Sequence, residues 1–250
     1  MSPNPASKVR WNGNYIFGNN VLTAKPAFGS AVAAAIAGWS ITEAHLGRIF
    51  ATLVGAKQPV TMSMYEAIRS FEVQRDLLRA AARDVLPRRY AIVFEASLNI
   101  LTKAAADRNK FAHWVWGASA DPGLDALFLV EPKHFWKLTA IQIKYWKTSR
   151  RKKIANTLAL FSSQPRLNHD HIYVYRLTDL NAVGARIERS YRIAETLRQF
   201  VESSGSRRRL LYQRLCSEGD IQKAVAGMKQ KVRKRNPRPP RAQRDKAGQA

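Results

Sequence analysis

The chain has 250 residues, enough to bury a core in one domain with an appended layer or tail. Its 42 Lys and Arg against 18 Asp and Glu give a formal net charge of +24, which favours polyanionic partners, nucleic acid first and anionic membrane surface second. A single cysteine, Cys216, excludes an intramolecular disulfide and a cysteine-built zinc site, and points to a reducing, cytoplasmic setting.

Residues 1–27 are rich in Asn, Gly and Pro and read as a flexible arm. Lys8 and Arg10 are followed by Asn12, Asn14, Asn19 and Asn20 instead of an apolar core, and the small-residue run Ala31 to Gly38 is too short for a bilayer. Neither a signal peptide nor a membrane span is expected. From Phe28 to Gly55, Val32, Ile36, Trp39, Leu46, Phe50 and Leu53 recur at helical steps, and Glu43 occupies the one missing place. A carboxylate on a core stripe needs a partner, because its isolated burial is costly. Gly55 and Pro59 close this helix. Ser63-x-x-Glu66 predicts a capping box for a second helix, with Met64, Ile68, Phe71, Leu78, Ala82 and Val85 on its stripe to about Leu86 and Arg75 in the gap. After Pro87 a third helix is predicted over 88–116, with a stripe of Phe94, Leu98, Leu101, Ala105, Arg108 and Ala112. Arg108 interrupts that stripe as Glu43 interrupts the first, which makes the two natural partners across a bundle.

Beyond Gly117 the character changes. Asp121-Pro122-Gly123 is a turn signal, and Leu127 to Val130 reads as a short strand. His134 to Lys147 mixes aromatics with lysines and suits either strand or helix; such aromatics belong to a core or interface, or stack on bases. The basic run Arg150 to Lys153 opens a helical segment to Leu160. Asn168-His169-Asp170-His171 reads as a polar loop, since no Cys, His or carboxylate set stands at metal-ligand spacing from it. Ile172 to Tyr175 is the clearest strand and is expected to pair with 127–130. Asp179 caps a last long helix carrying Leu180, Val183, Ile187, Ala194, Leu197 and Val201. Ser203 to Arg209 reads as a charged linker, Leu210 to Lys229 as a weak helix, and the chain from Lys231 as a basic, proline-punctuated tail. The expected fold is mainly α: an antiparallel helical bundle over 28–204 with a small β-hairpin-like insertion. A tail over 205–250 follows, partly helical and then disordered.

The segment Arg108-Asn109-Lys110-Phe111-Ala112-His113 concentrates the chemistry. An unperturbed imidazole has a pKa of about 6.5 and exchanges protons near neutrality. A guanidinium neutralises a phosphate and the charge that grows on its oxygens in a transition state. Asn109 stands one turn before His113, placed to hydrogen-bond the ring and set its tautomer. Five residues of helix, however, turn through about 500° and leave Arg108 and His113 roughly 140° apart. Their convergence requires a wrapped arginine arm, a loosened helix end near Trp114 to Gly117, or two subunits sharing one site. No glycine-rich phosphate loop, nucleophile elbow or zinc-protease helix is present, and neither a cofactor nor a metal is expected.

The R-N-x-x-x-H spacing late in a third long helix resembles the signature of the HEPN superfamily over about residues 30–200. The resemblance implies a helical homodimer with its R-x4-6-H motif in the interface cleft. It also implies metal-independent RNA cleavage, in which the 2′-hydroxyl attacks the adjacent phosphate. On that resemblance Arg108 and His113 match the two defining positions, Asn109 the polar residue that follows the arginine, and Glu43 a polar or acidic residue of an earlier helix. The expected function is that of an endoribonuclease. Two other classes remain open: a non-catalytic module binding nucleic acid or nucleotides, and a structural dimerisation protein in which Glu43 and Arg108 form only an ion pair.

Overall fold

Apolar residues at helical steps fold most of this chain into α-helix, as their periodicity predicts. The computed structural model describes residues 3–9, 15–18, 20–119, 124–151 and 168–235. The turn expected at 121–123, the helical segment from Lys152 to Leu160 and the tail beyond Arg235 lie outside them. In chain order the helices are α1 (Val21–Ala24), α2 (Pro26–Val54), α3 (Gln58–Glu66), α4 (Phe71–Val85) and α5 (Arg88–His113), then α6 (Pro132–Arg151), α7 (Leu177–Glu202), α8 (Gly205–Ser217) and α9 (Gly219–Arg235). The strands are β1 (Asn4–Pro5), β2 (Tyr15–Phe17), β3 (Val115–Ser119), β4 (Leu127–Val130) and β5 (Ile172–Tyr175).

The chain divides into two compact units. One comprises Met1–Ser40 and Ala104–Arg189, the other Ile41–Lys103 and Ser190–Ala250. The boundaries fall inside α2, α5 and α7. A 26-residue helix is about 39 Å long, more than one small core covers, so each of these helices supplies residues to both units.

The first unit holds an antiparallel sheet in the order β1-β5-β4-β3-β2. The expected pairing of 127–130 with 172–175 is present, with Leu127 opposite Tyr175 and Val130 opposite Ile172. All four residues of β4 are buried, so both faces of this central strand are covered. Phe128, Val130, Ile172 and Val174 form one core with Ala6 and Ala126, and Val9, Tyr15, Phe17 and Phe135 pack against it. Within the N-terminal arm, residues 4–5 and 15–17 provide the two edge strands. Edge strands this short carry no readable alternation, and their apolar side chains are held by a core distant in sequence.

The helix expected to reach Trp116 ends at His113, and the chain turns straight into β3. Trp116 Nε1 donates to the Phe111 carbonyl at 3.1 Å, satisfying one of the acceptors that a helix end exposes. Gly117 lies opposite Phe17, where an added Cβ would come within 2.5 Å of the ring and 2.9 Å of the Ile16 carbonyl oxygen. Only glycine fits beneath that ring, and the β-branched Val115 and aromatic Trp116 before it favour strand over continued helix.

In the second unit, Leu46, Ile49, Leu53, Leu78, Phe94, Leu98, Leu101, Leu197 and Phe200 are buried. The expected capping box at Ser63 is absent. Ser63 lies inside α3 and donates its hydroxyl to the Pro59 carbonyl at 3.0 Å. Pro59 occupies the first turn of α3, a position that favours an early start. The actual N-cap of the next helix is Ser70, whose hydroxyl accepts from Val73 N–H at 3.5 Å. Met64 is consequently exposed, not part of a stripe continuous with Leu78 and Ala82. The stretch expected to be a linker is mostly helix: Ser203 and Ser204 separate α7 from α8, Gly205, with φ of +56°, opens α8, and Arg207 to Arg209 lie inside it.

Candidate functional site

The last two turns of α5 carry Arg108, Asn109 and His113, and their surroundings pin this helix end. Phe111 is buried, with its ring centroid 5.6 Å from Trp116 and 5.5 Å from Tyr175. One residue before the motif arginine, Asp107 Oδ2 accepts from Arg186 Nε at 3.2 Å and Nη2 at 2.8 Å, tying α5 to α7. Burial, and secondarily the Asp107 carboxylate, hold the Tyr175 phenol protonated well above its ordinary range.

Arg108 is half-buried, whereas Asn109 and His113 are exposed. Arg108 Nη1 donates to Asn109 Oδ1 at 3.1 Å. Among the described residues no hydrogen bond joins Asn109 to His113, contrary to the tautomer-setting role expected of the carboxamide. The carboxamide oxygen is taken by a charge-assisted bond from the Arg108 guanidinium. Glu43 belongs to the second unit, where it is half-buried. There burial, and next the Glu43 charge, push the Tyr65 phenol up.

Strand register reveals neighbours of His113 that motif reading missed. Val115 lies opposite Val130, and Val130 opposite Ile172. These three residues form one row across the sheet, about 10 Å wide at ordinary strand spacing. His113 stands two residues before that row on β3, Glu131 follows it on β4, and His171 precedes it on β5. This end of the sheet therefore gathers His113, His134, His169 and His171, four of the five histidines in the chain. The His134 and His171 rings stack with centroids 3.7 Å apart and planes inclined by 14°. Glu131 Oε2 lies 3.8 Å from His134 Nε2 and 2.7 Å from Lys133 Nζ. As expected, 168–171 leads into β5; Asn168 accepts from Asp170 N–H at 3.0 Å and shapes the 3-10 turn His169–His171. The signal was available: pairing 127–130 with 172–175 sets residues 131 and 171 side by side.

Comparison of the chain with protein-family models, curated proteins and solved structures finds no match. The functional assignment rests on the side chains themselves. Among the described residues no three His, Cys, Asp or Glu side chains are grouped to hold a metal ion, and no helix is long and apolar enough to cross a membrane. A concavity of about 570 Å³ in the second unit is lined by Ala82, Ala91, Ile92, Phe94, Val225 and Met228 together with Arg79, Arg83, Arg88 and Glu95. Neither it nor a neighbouring concavity of about 520 Å³ that includes Cys216 contains a histidine, and for proton transfer near neutrality the sheet end of the first unit is the stronger candidate.

The stacked histidines make a pH prediction. Desolvation first, then His171 and Lys133, lower the His134 pKa, with Glu131 opposing in part. A folded pKa below the ordinary value of about 6.5 means that the fold favours the neutral ring. That contribution is complete above about pH 6.5 and is lost as pH falls through the depressed value. His45 in the second unit shifts the same way, through burial and then Arg198, with Glu195 opposing in part and Arg48 adding a smaller effect. The melting temperature should therefore fall between about pH 7.5 and pH 5.5, and His134→Gln should flatten part of that slope. A variant slope equal to that of the wild type would refute the assignment.

Proposed function

We propose that this chain cleaves single-stranded RNA without a metal ion, with His113 moving the proton and Arg108 holding the phosphate. The observation that carries the reading is the end of α5. There a half-buried arginine, bonded to Asn109, precedes an exposed histidine at the histidine-rich end of the sheet. The net charge of +24 and the R-N-x-x-x-H resemblance to the HEPN superfamily support it. In the reaction the 2′-oxygen of a ribose bonds to the adjacent phosphorus as the bond to the 5′-oxygen breaks. His113 accepts the hydroxyl proton or delivers one to the leaving oxygen, and Arg108 compensates the charge on the phosphoryl oxygens. The offset between Arg108 and His113 on one helix suits a homodimer, in which a second copy supplies the complementary proton-transfer group.

The test is incubation of the purified chain with end-labelled single-stranded RNA in excess chelator. Persistent cleavage leaving cyclic phosphate and 5′-hydroxyl ends is expected; no cleavage, or cleavage that the chelator stops, overturns the reading. One observation favours a non-catalytic RNA-binding module instead: Asn109 bonds Arg108 and leaves the His113 tautomer unset by that carboxamide. That alternative predicts steeply salt-dependent binding with no cleavage products.

A further inference from the structure

We infer that the outward face of α6 is the seat of single-stranded RNA, an inference that rests on the RNA reading above. Phe135 packs into the sheet core, its ring 5.5 Å from Phe17, while His134 stacks on His171. The next residue, Trp136, is 62% exposed, and Ile141 and Ile143 are 54% and 50% exposed. Lys133, Lys137, Ala140 and Lys144 are exposed as well. At about 100° per residue these seven positions occupy one arc of roughly 160°. Across it the order is Ile143, Trp136, Ala140, Lys133, Lys144, Lys137, Ile141. The lysines thus form the middle of the face, and the large apolar side chains form its flanks.

That order selects the occupant. A helix lying on an anionic membrane buries a continuous apolar band and keeps its lysines on the polar face; here the lysines lie where the apolar band would be. A second copy of the face would set one lysine band against another. Duplex RNA is read largely by shape and backbone contacts across its minor groove, without unstacked bases for Trp136. A single strand satisfies both features: its phosphates follow the lysine band and a base stacks on the indole. Trp136 already meets Phe135 in a T-shaped contact, with centroids 5.6 Å apart and planes inclined by 71°, which braces the indole. Lys137 carries more of the phosphate contact than Lys133, which shares its charge with Glu131. The placement also connects with the candidate site. α6 begins two residues after Val130, whose partner Val115 stands two residues after His113. A strand seated on the first turns of α6 leaves it at the end of the sheet where His113 stands.

The test uses the full chain, a fluorescent oligouridylate, its duplex with oligoadenylate, and phosphatidylserine vesicles. Trp136→Ala should weaken oligouridylate binding by about tenfold, and Trp136→Phe should restore most of it. Lys137→Gln should weaken binding a few-fold and reduce its salt dependence by about one ion. Both positions being exposed, each of the three variants should melt as the wild type does. If the wild type binds and cuts RNA while Trp136→Ala and Lys137→Gln bind it equally well, this inference falls and the RNA reading stands. If the wild type neither binds nor cuts RNA, both fall. Loss of vesicle binding in Trp136→Ala with oligouridylate affinity unchanged also overturns the inference, in favour of a membrane contact.

Discussion

His113→Ala is expected to lower the rate of RNA cleavage by about 10²–10⁴-fold, the range over which a positioned proton-transfer group accelerates such reactions. The exposed imidazole has no described hydrogen bond for the fold to lose, so the melting temperature should stay within a degree or two of the wild type. RNA affinity should also persist, because it draws on the basic surface as a whole. The informative result is the separation of rate from binding and stability. Equal cleavage by variant and wild type would remove His113 from the reaction.

Phe111→Ala carries the second large effect, and it acts through the scaffold. Its ring is 2% exposed and meets Trp116 and Tyr175. Its carbonyl receives the Trp116 indole N–H. Truncating such an aromatic costs about 3–5 kcal/mol, because the lost transfer energy is joined by the cavity left behind. For a chain of this size that corresponds to a fall in melting temperature of roughly 6–20 °C. Phe111→Leu should recover part of it by refilling the space. Phe111 lies between Arg108 and His113, so the alanine variant should lose cleavage even at temperatures where it remains folded. A melting shift below about 2 °C would mean that this contact does not anchor the motif.

The residues that could be read correctly from sequence are those whose partners are local or strongly patterned. α2 follows from its three-and-four spacing, α5 from Pro87 onward from its own stripe, and the β4–β5 pair from two short apolar runs. The capping error at Ser63 shows where local reading fails: Ser63 and Ser70 both precede helical stripes, and Pro59 decided between them by starting α3 early. Residues 4–5 and 15–17 were illegible because a strand of two or three residues has no period, only a distant core to join. At the candidate site the positions of Arg108 and His113 on one helix were legible. The bond from Arg108 to Asn109 was not, since spacing does not rank competing acceptors and donors. The approach of His134 to His171 depends on register, which spacing within either segment leaves undetermined.

The outermost strand of the sheet has a consequence for how the chain is made. Pro5 of β1 pairs with Tyr173 of β5, about 170 residues later. At ribosomal speeds of about 5–20 residues per second, β1 waits roughly 10–30 s for its partner to be synthesised. β3 and β4 close within a short stretch of chain and are complete long before that. The strand made first is therefore the one whose partner arrives last, and throughout synthesis its backbone is open to chaperones and neighbouring nascent chains.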